Sequence, residues 1–120
     1  MSMTTEQVRD TALAGLEEAK AQDIKLMDVT GLTNVTDYMI LATGTSSRHV
    51  IAIADRLVEY MKDHGHRPLG VEGQEEAEWV LVDLNDAIVH IMQKDARVFY
   101  DLDKLWGEEL RQIVEKNRES

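Results

Sequence analysis

The sequence predicts an α/β (α+β) domain: a mixed sheet of about five strands with helices packed on it. Three observations carry that expectation. Apolar residues recur at helical spacing in two stretches, Val8, Ala12, Leu16 and Ala19, then Val50, Ala54, Leu57, Val58 and Met61. Tyr38-Met39-Ile40-Leu41-Ala42 is a near-continuous apolar run, the pattern of a strand covered on both faces. Two further runs, Trp79 to Leu84 and Ala87 to Met92, flank Asn85-Asp86, a pair suited to a tight turn. At 120 residues the chain has room for one core, so residues 1–120 are expected to be a single domain.

The elements follow in order. The first helix runs from about Thr5 to Ala21, capped by Thr4 or Thr5. Ile24 to Val29 reads as a short strand, and Thr30-Gly31-Leu32-Thr33-Asn34 as a loop. Asp37 to Thr43 is the apolar strand, ended by Gly44. The second helix starts at Ser46 or Ser47 and runs to about His64, where Gly65 stops it. Arg67 to Val71 is a strand, and strand, helix, strand of this length implies a right-handed crossover with parallel strands. After the hairpin, Asp95 to Leu105 reads as irregular or short helical turns. A last helix spans roughly Leu105 to Lys116, with Leu102, Trp106, Leu110 and Ile113 inward.

A two-residue turn fixes the register of the hairpin. Leu84 then faces Ala87, Val82 faces Val89, and Val80 faces Ile91. That side is wholly apolar and must meet the core. The other side carries Trp79, Leu81, Asp83, Ile88, His90 and Met92. Two readings of this mixed face stand. In one, a helix covers it, Asp83 sits at the rim and His90 is hydrogen-bonded. In the other it is a partly exposed docking face, with Trp79, Leu81, His90 and Met92 as contacts and Asp83 and Asp86 matching a basic partner.

Composition limits the chemistry. There are 13 Lys and Arg against 23 Asp and Glu, a net charge of −10, which argues against a mainly phosphate-binding surface. From Pro68 to Gln93 there is no Lys or Arg, but the segment holds Glu72, Glu75, Glu76, Glu78, Asp83 and Asp86. Such a stretch is either a solvated rim or a patch that docks on a basic protein. The absence of cysteine excludes disulfides, thiolate metal sites and a cysteine nucleophile. No apolar run is long enough to span a bilayer, and the first residues have no targeting pattern, so the expected location is the cytoplasm.

No motif makes an active site. Thr43-Gly44-Thr45-Ser46-Ser47 joins strand to helix but lacks the lysine and glycine spacing of a nucleotide loop. It resembles loosely the start of a nucleotidyltransferase site, which needs two carboxylates on one strand face to hold two divalent ions. The same-face neighbours here are Leu81, Asp83 and Asn85, so only one carboxylate is in place. His64 and His66 are too close in sequence to share a helical face, and His49 has no nucleophile beside it. No catalytic residue, cofactor or metal is expected.

Four ordered motifs resemble one known family. They are Asp23-Ile24, Leu26 and Asp28-Val29, and the run Thr36 to Val50. Then come Glu78-Trp79-Val80-Leu81-Val82-Asp83 with Asp86 and Val89-His90-Ile91-Met92, and finally Arg97 to Trp106. Together they resemble the ribosomal silencing factor, or Iojap-like, family over about residues 5 to 117. The family often has Tyr-Gly where Leu84-Asn85 stands, and Phe in place of Met92. The resemblance implies a sheet related in outline to nucleotidyltransferases but without their catalytic carboxylates. It also implies a translational repressor that binds ribosomal protein fourteen of the large subunit, with little direct RNA contact. Binding at the face where the small subunit would join would sterically block joining when nutrients are scarce. Free family members are often homodimers. The alternatives are a nucleotidyltransferase-like enzyme and an assembly factor for the large subunit.

Overall fold

The sheet is organised around its most apolar strand. A computed structural model describes residues 3–31, 34 and 36–100, with backbone only for 98–100. Its elements are α1 (Thr5–Glu18), β1 (Gln22–Asp28), β2 (Tyr38–Gly44), α2 (Ser47–Asp63), β3 (Gly70–Glu72), β4 (Trp79–Asp83), β5 (Ala87–Gln93) and α3 (Lys94–Tyr100). The five strands lie in the order β1-β2-β5-β4-β3. β2 and β5 are parallel, and the other three pairings are antiparallel. The sheet is therefore mixed, as the sequence predicts. The expected final helix, from Leu105 to Lys116, lies outside the described residues.

Local chemistry sets the helix ends. Thr4 accepts from the Gln7 backbone N–H while the Gln7 side chain accepts from the Thr4 N–H, a reciprocal cap on α1. The helix ends earlier than its apolar stripe suggests. Lys20 takes a left-handed conformation (φ 62°), and the Ala21 N–H donates to the Leu16 carbonyl. This is a glycine-type terminus built without glycine. α2 starts on Ser46, whose side chain accepts from the His49 N–H. It ends at Gly65 (φ 85°), where the His66 N–H donates to the Met61 carbonyl.

The sheet order corrects one expectation. β2 and β3 do run the same way, but the β4–β5 hairpin lies between them. The parallel neighbour of β2 is β5, in the register Ile40↔Val89 and Ala42↔Ile91. The physical reason is burial. All of β5 except Gln93 is buried, so it takes the central position, while the short β3, half-buried, serves as an edge. β3 itself is displaced to Gly70–Glu72, beyond Pro68.

The two faces of the sheet are covered separately. On one, α1 and α2 pack Val8, Leu16, Val50, Ile53, Leu57 and Met61 against Ile40, Val80, Val82, Leu84, Val89 and Ile91. Gly15 permits a close crossing of these helices: a Cβ there would stand 3.1 Å from Leu57 and Tyr60. On the other face a smaller cluster joins Met27, Val29, Met39, Leu41, Leu81, Ile88, Met92 and Ala96 of α3, with Trp79 partly buried against it. Each fully buried Leu or Ile contributes about 1.5–3 kcal/mol, so both clusters matter to stability. Arg97 ties α3 to the sheet by donating to the Thr43 hydroxyl (2.9 Å) and to the Asp23 carbonyl.

Candidate functional site: the tryptophan end of the hairpin

The hairpin adopts the register its sequence implies: Trp79↔Met92, Val80↔Ile91, Leu81↔His90, Val82↔Val89 and Asp83↔Ile88. The turn is closed by Asn85 in a left-handed conformation (φ 72°), with the Asp83 carboxylate accepting its N–H at 2.9 Å. Asp83 is thereby a turn-forming residue and is buried. Asp86 is half-buried, and its carbonyl accepts from the backbone N–H groups of Asp37 and Tyr38. The Asp86 backbone thus helps to join the hairpin to the start of β2.

On the mixed face the residues sort by access. Leu81, His90 and Met92 are buried, with 1%, 0% and 0% of their surface exposed, so they lie beneath any docking surface. The structure bears out the cover and the hydrogen-bonded His90 of the first reading, since α3 contributes Ala96 to this cluster and Trp79 donates to His90. Asp83, however, is buried and not at a rim, and Trp79 is half-exposed at the margin. The strand separates Trp79 from the turn. Trp79 opens β4 and Asp83 closes it, four residues on and about 13 Å away at strand rise. Trp79 and Asp86 therefore stand at opposite ends of the hairpin.

Trp79 and His90 are brought together. They are diagonal neighbours across the strand pair, and the indole Nε1–H donates to His90 Nδ1 at 2.7 Å. Their ring centroids are 5.4 Å apart at 44°. Burial pushes the His90 imidazole down to about 3, so it is neutral at ordinary pH. Since Nδ1 accepts, the proton of the neutral ring resides on Nε2.

The charge beside Trp79 comes from residues other than Asp83 and Asp86. The turn before β4 returns over the strand start at Gly73 (φ +88°), where a Cβ would lie 2.2 Å from the Trp79 carbonyl oxygen. Glu75, Glu76 and Glu78 of this segment are all exposed. The Gln93 N–H donates to the Glu78 carbonyl, which joins the end of β5 to the same segment. The signal in the sequence was Gly73-Gln74-Glu75-Glu76-Ala77-Glu78 immediately before the tryptophan.

The remaining polar candidates have local roles. His49 Nδ1 accepts from the Thr45 N–H at 2.9 Å, stabilising the turn into α2. His64 stacks on Tyr60, and the His66 ring is 2.9 Å from the Leu84 carbonyl. Gly44 is required by packing, because a Cβ would meet Val50 at 2.7 Å. Among the described residues no three His, Cys, Asp or Glu side chains form a group that could hold a metal ion. Among them, too, no helix is long and apolar enough to cross a membrane.

Comparison with known proteins gives this geometry a family. The sequence model of the family described as "Ribosomal silencing factor during starvation" matches residues 2–120. Ribosomal silencing factor RsfS of Haemophilus influenzae is 52% identical over 92 residues, covering 77% of this chain and 90% of that protein. The mouse protein named "Mitochondrial assembly of ribosomal large subunit protein 1" is 31% identical over 100 residues, covering 81% of this chain and 44% of that one. The crystal structure of protein CV0518 from Chromobacterium violaceum superposes with a TM-score of 0.84 at 39% identity, covering 88% of this chain and 89% of that one. With a matched family model over nearly its whole length and the same fold in a solved relative, the chain belongs to the ribosomal silencing factor family.

Proposed function

We propose that this protein is a translational repressor that binds the free large ribosomal subunit and sterically blocks joining of the small subunit. The partner surface is basic, and ribosomal protein fourteen is the component that the family resemblance implies. The observation that carries this reading is the tryptophan end of the hairpin. A half-exposed indole stands beside exposed Glu75, Glu76 and Glu78, in a chain of net charge −10. An aromatic anchor with an acidic margin suits a basic protein surface and repels bare phosphate. Docking by this surface needs no turnover, so the protein acts in the cytoplasm as a binding factor with neither cofactor nor catalytic residue. Residues 1–120 act as one domain, and the free protein is a homodimer.

Of the six residues that the sequence nominates, Trp79 and Asp86 are the accessible contacts. Leu81, His90 and Met92 support Trp79 from below, and Asp83 shapes the turn. A second reading, a factor for large-subunit assembly, is favoured by the name of the mouse relative. Co-sedimentation tests the first step of either. The protein should pellet with purified large subunits and stay in the supernatant with small subunits. Failure to pellet with large subunits in low salt would overturn the proposal. Binding restricted to immature large-subunit particles would favour assembly instead.

A further inference from the structure

We propose that His90 is a positioning residue: its Nδ1 holds the Trp79 indole in the orientation in which it docks. This rests on the reading of Trp79 as a contact to the large subunit. The geometry is specific. His90 lies in the central strand, paired with Leu41 on one side and Leu81 on the other, and is completely buried. Its Nδ1 receives the indole proton at 2.7 Å. Its Nε2 is also buried, with no hydrogen-bond partner among the described residues.

That arrangement costs stability. A buried polar atom without a partner is unfavourable, and an apolar residue of similar size between Leu41 and Leu81 would avoid the cost. The bond to Trp79 offsets only part of it, because the net gain of one neutral hydrogen bond is small. What the histidine supplies is direction. Trp79 sits at the first position of β4, half-buried, with its ring packed against the buried cluster. A fixed acceptor at Nδ1 restricts the indole to one rotamer, so less conformational freedom is lost on docking. Burial also keeps the imidazole neutral, so the acceptor persists throughout the physiological pH range.

The test separates positioning from packing. In His90→Leu the acceptor is lost and the volume nearly kept. Its unfolding midpoint in urea should equal or exceed that of the wild type, while its affinity for purified large subunits falls about fivefold, the value of one neutral hydrogen bond. In a Trp79→Phe background, which has no indole N–H, His90→Leu should cause no further loss. His90→Asn, whose amide oxygen takes the place of Nδ1, should recover part of the affinity. An equal effect of His90→Leu in both backgrounds would overturn the proposal, as would unchanged affinity in the Trp79 protein.

A second readout needs no ribosome and no change at His90. In the ¹⁵N spectrum of the wild type, the Trp79 indole proton, assigned by its absence in Trp79→Phe, should exchange with solvent more slowly than in a free indole. Exchange at the free rate would mean that the bond is absent and would overturn the proposal. If wild-type protein fails to bind large subunits, the functional reading falls and the docking role of His90 with it. A bound wild type with an indifferent His90→Leu defeats the positioning role alone.

Discussion

At the scale of single residues, the buried imidazole links pH to stability. Unfolded, His90 titrates near 6.5; folded, burial holds it down to about 3. Between those values the unfolded chain carries one more proton, so acidification through that window favours unfolding. Above it neither state takes up the proton, and the contribution of His90 is constant. Stability should therefore fall as pH drops from about 6.5, and the His90→Leu curve should be flatter by up to about 1.4 kcal/mol per pH unit. Urea titrations at a series of pH values check this, and parallel curves would contradict it. Trp79 makes a different prediction. Trp79→Ala should weaken binding to large subunits by about 2 kcal/mol or more, roughly thirtyfold. The same change removes a partly buried ring from the Leu81, Ile88 and Met92 cluster, so its melting temperature also falls. Affinities must be compared well below that temperature. A large drop in melting with affinity retained would make Trp79 a core residue.

At the scale of elements, turns separate conformational from steric cost. Gly65 and Gly73 have nearly the same positive φ, 85° and 88°. A Cβ at Gly65 meets nothing within 4 Å, whereas at Gly73 it would strike the Trp79 carbonyl. Gly65→Ala should cost about 1 kcal/mol, the backbone term alone. Gly73→Ala should cost about 2–3 kcal/mol, since the strand start must also move. Equal losses in urea unfolding would show that the Gly73 loop yields freely. The elements themselves were largely legible in the sequence. Asn85-Asp86 set the hairpin register, the apolar row of Val80, Val82, Val89 and Ile91 chose the core face, and Ser46 and Gly65 bounded α2. The order of strands was not, because insertion of β4 and β5 between β2 and β3 depends on long-range pairing that no local pattern encodes. The site was half legible. Trp79 and His90 fell on one face, but their bond depends on a diagonal contact and a side-chain rotamer. The role of Asp83 was hidden for a related reason: its carboxylate is engaged by the Asn85 N–H within the turn.

At the scale of the whole molecule, charge and shape divide the work. In the proposed docking, the net charge of −10 favours encounter with a basic surface and the indole supplies the short-range contact. Replacing Glu75, Glu76 and Glu78 together by Gln should weaken binding several-fold in low salt, at up to about 1 kcal/mol per exposed pair. The effect should shrink as salt shortens the screening length. Asp86→Asn, at the far end of the hairpin, should have the smaller effect. A salt-independent loss would place these glutamates in the fold instead of on the docking surface. The helical face of α1 and α2 packs against the opposite side of the sheet, so these changes leave the larger core intact.

Subunit joining is the most direct test. Purified large and small subunits are mixed at a magnesium concentration that favours joining, with and without a molar excess of this protein, and resolved on a sucrose gradient. Occupation of the joining face predicts that the joined peak falls, that free subunits rise, and that the protein travels with the large subunit. The Trp79→Ala protein should leave the joined peak nearly unchanged. An equal joined peak with and without the wild-type protein would contradict the proposed mechanism.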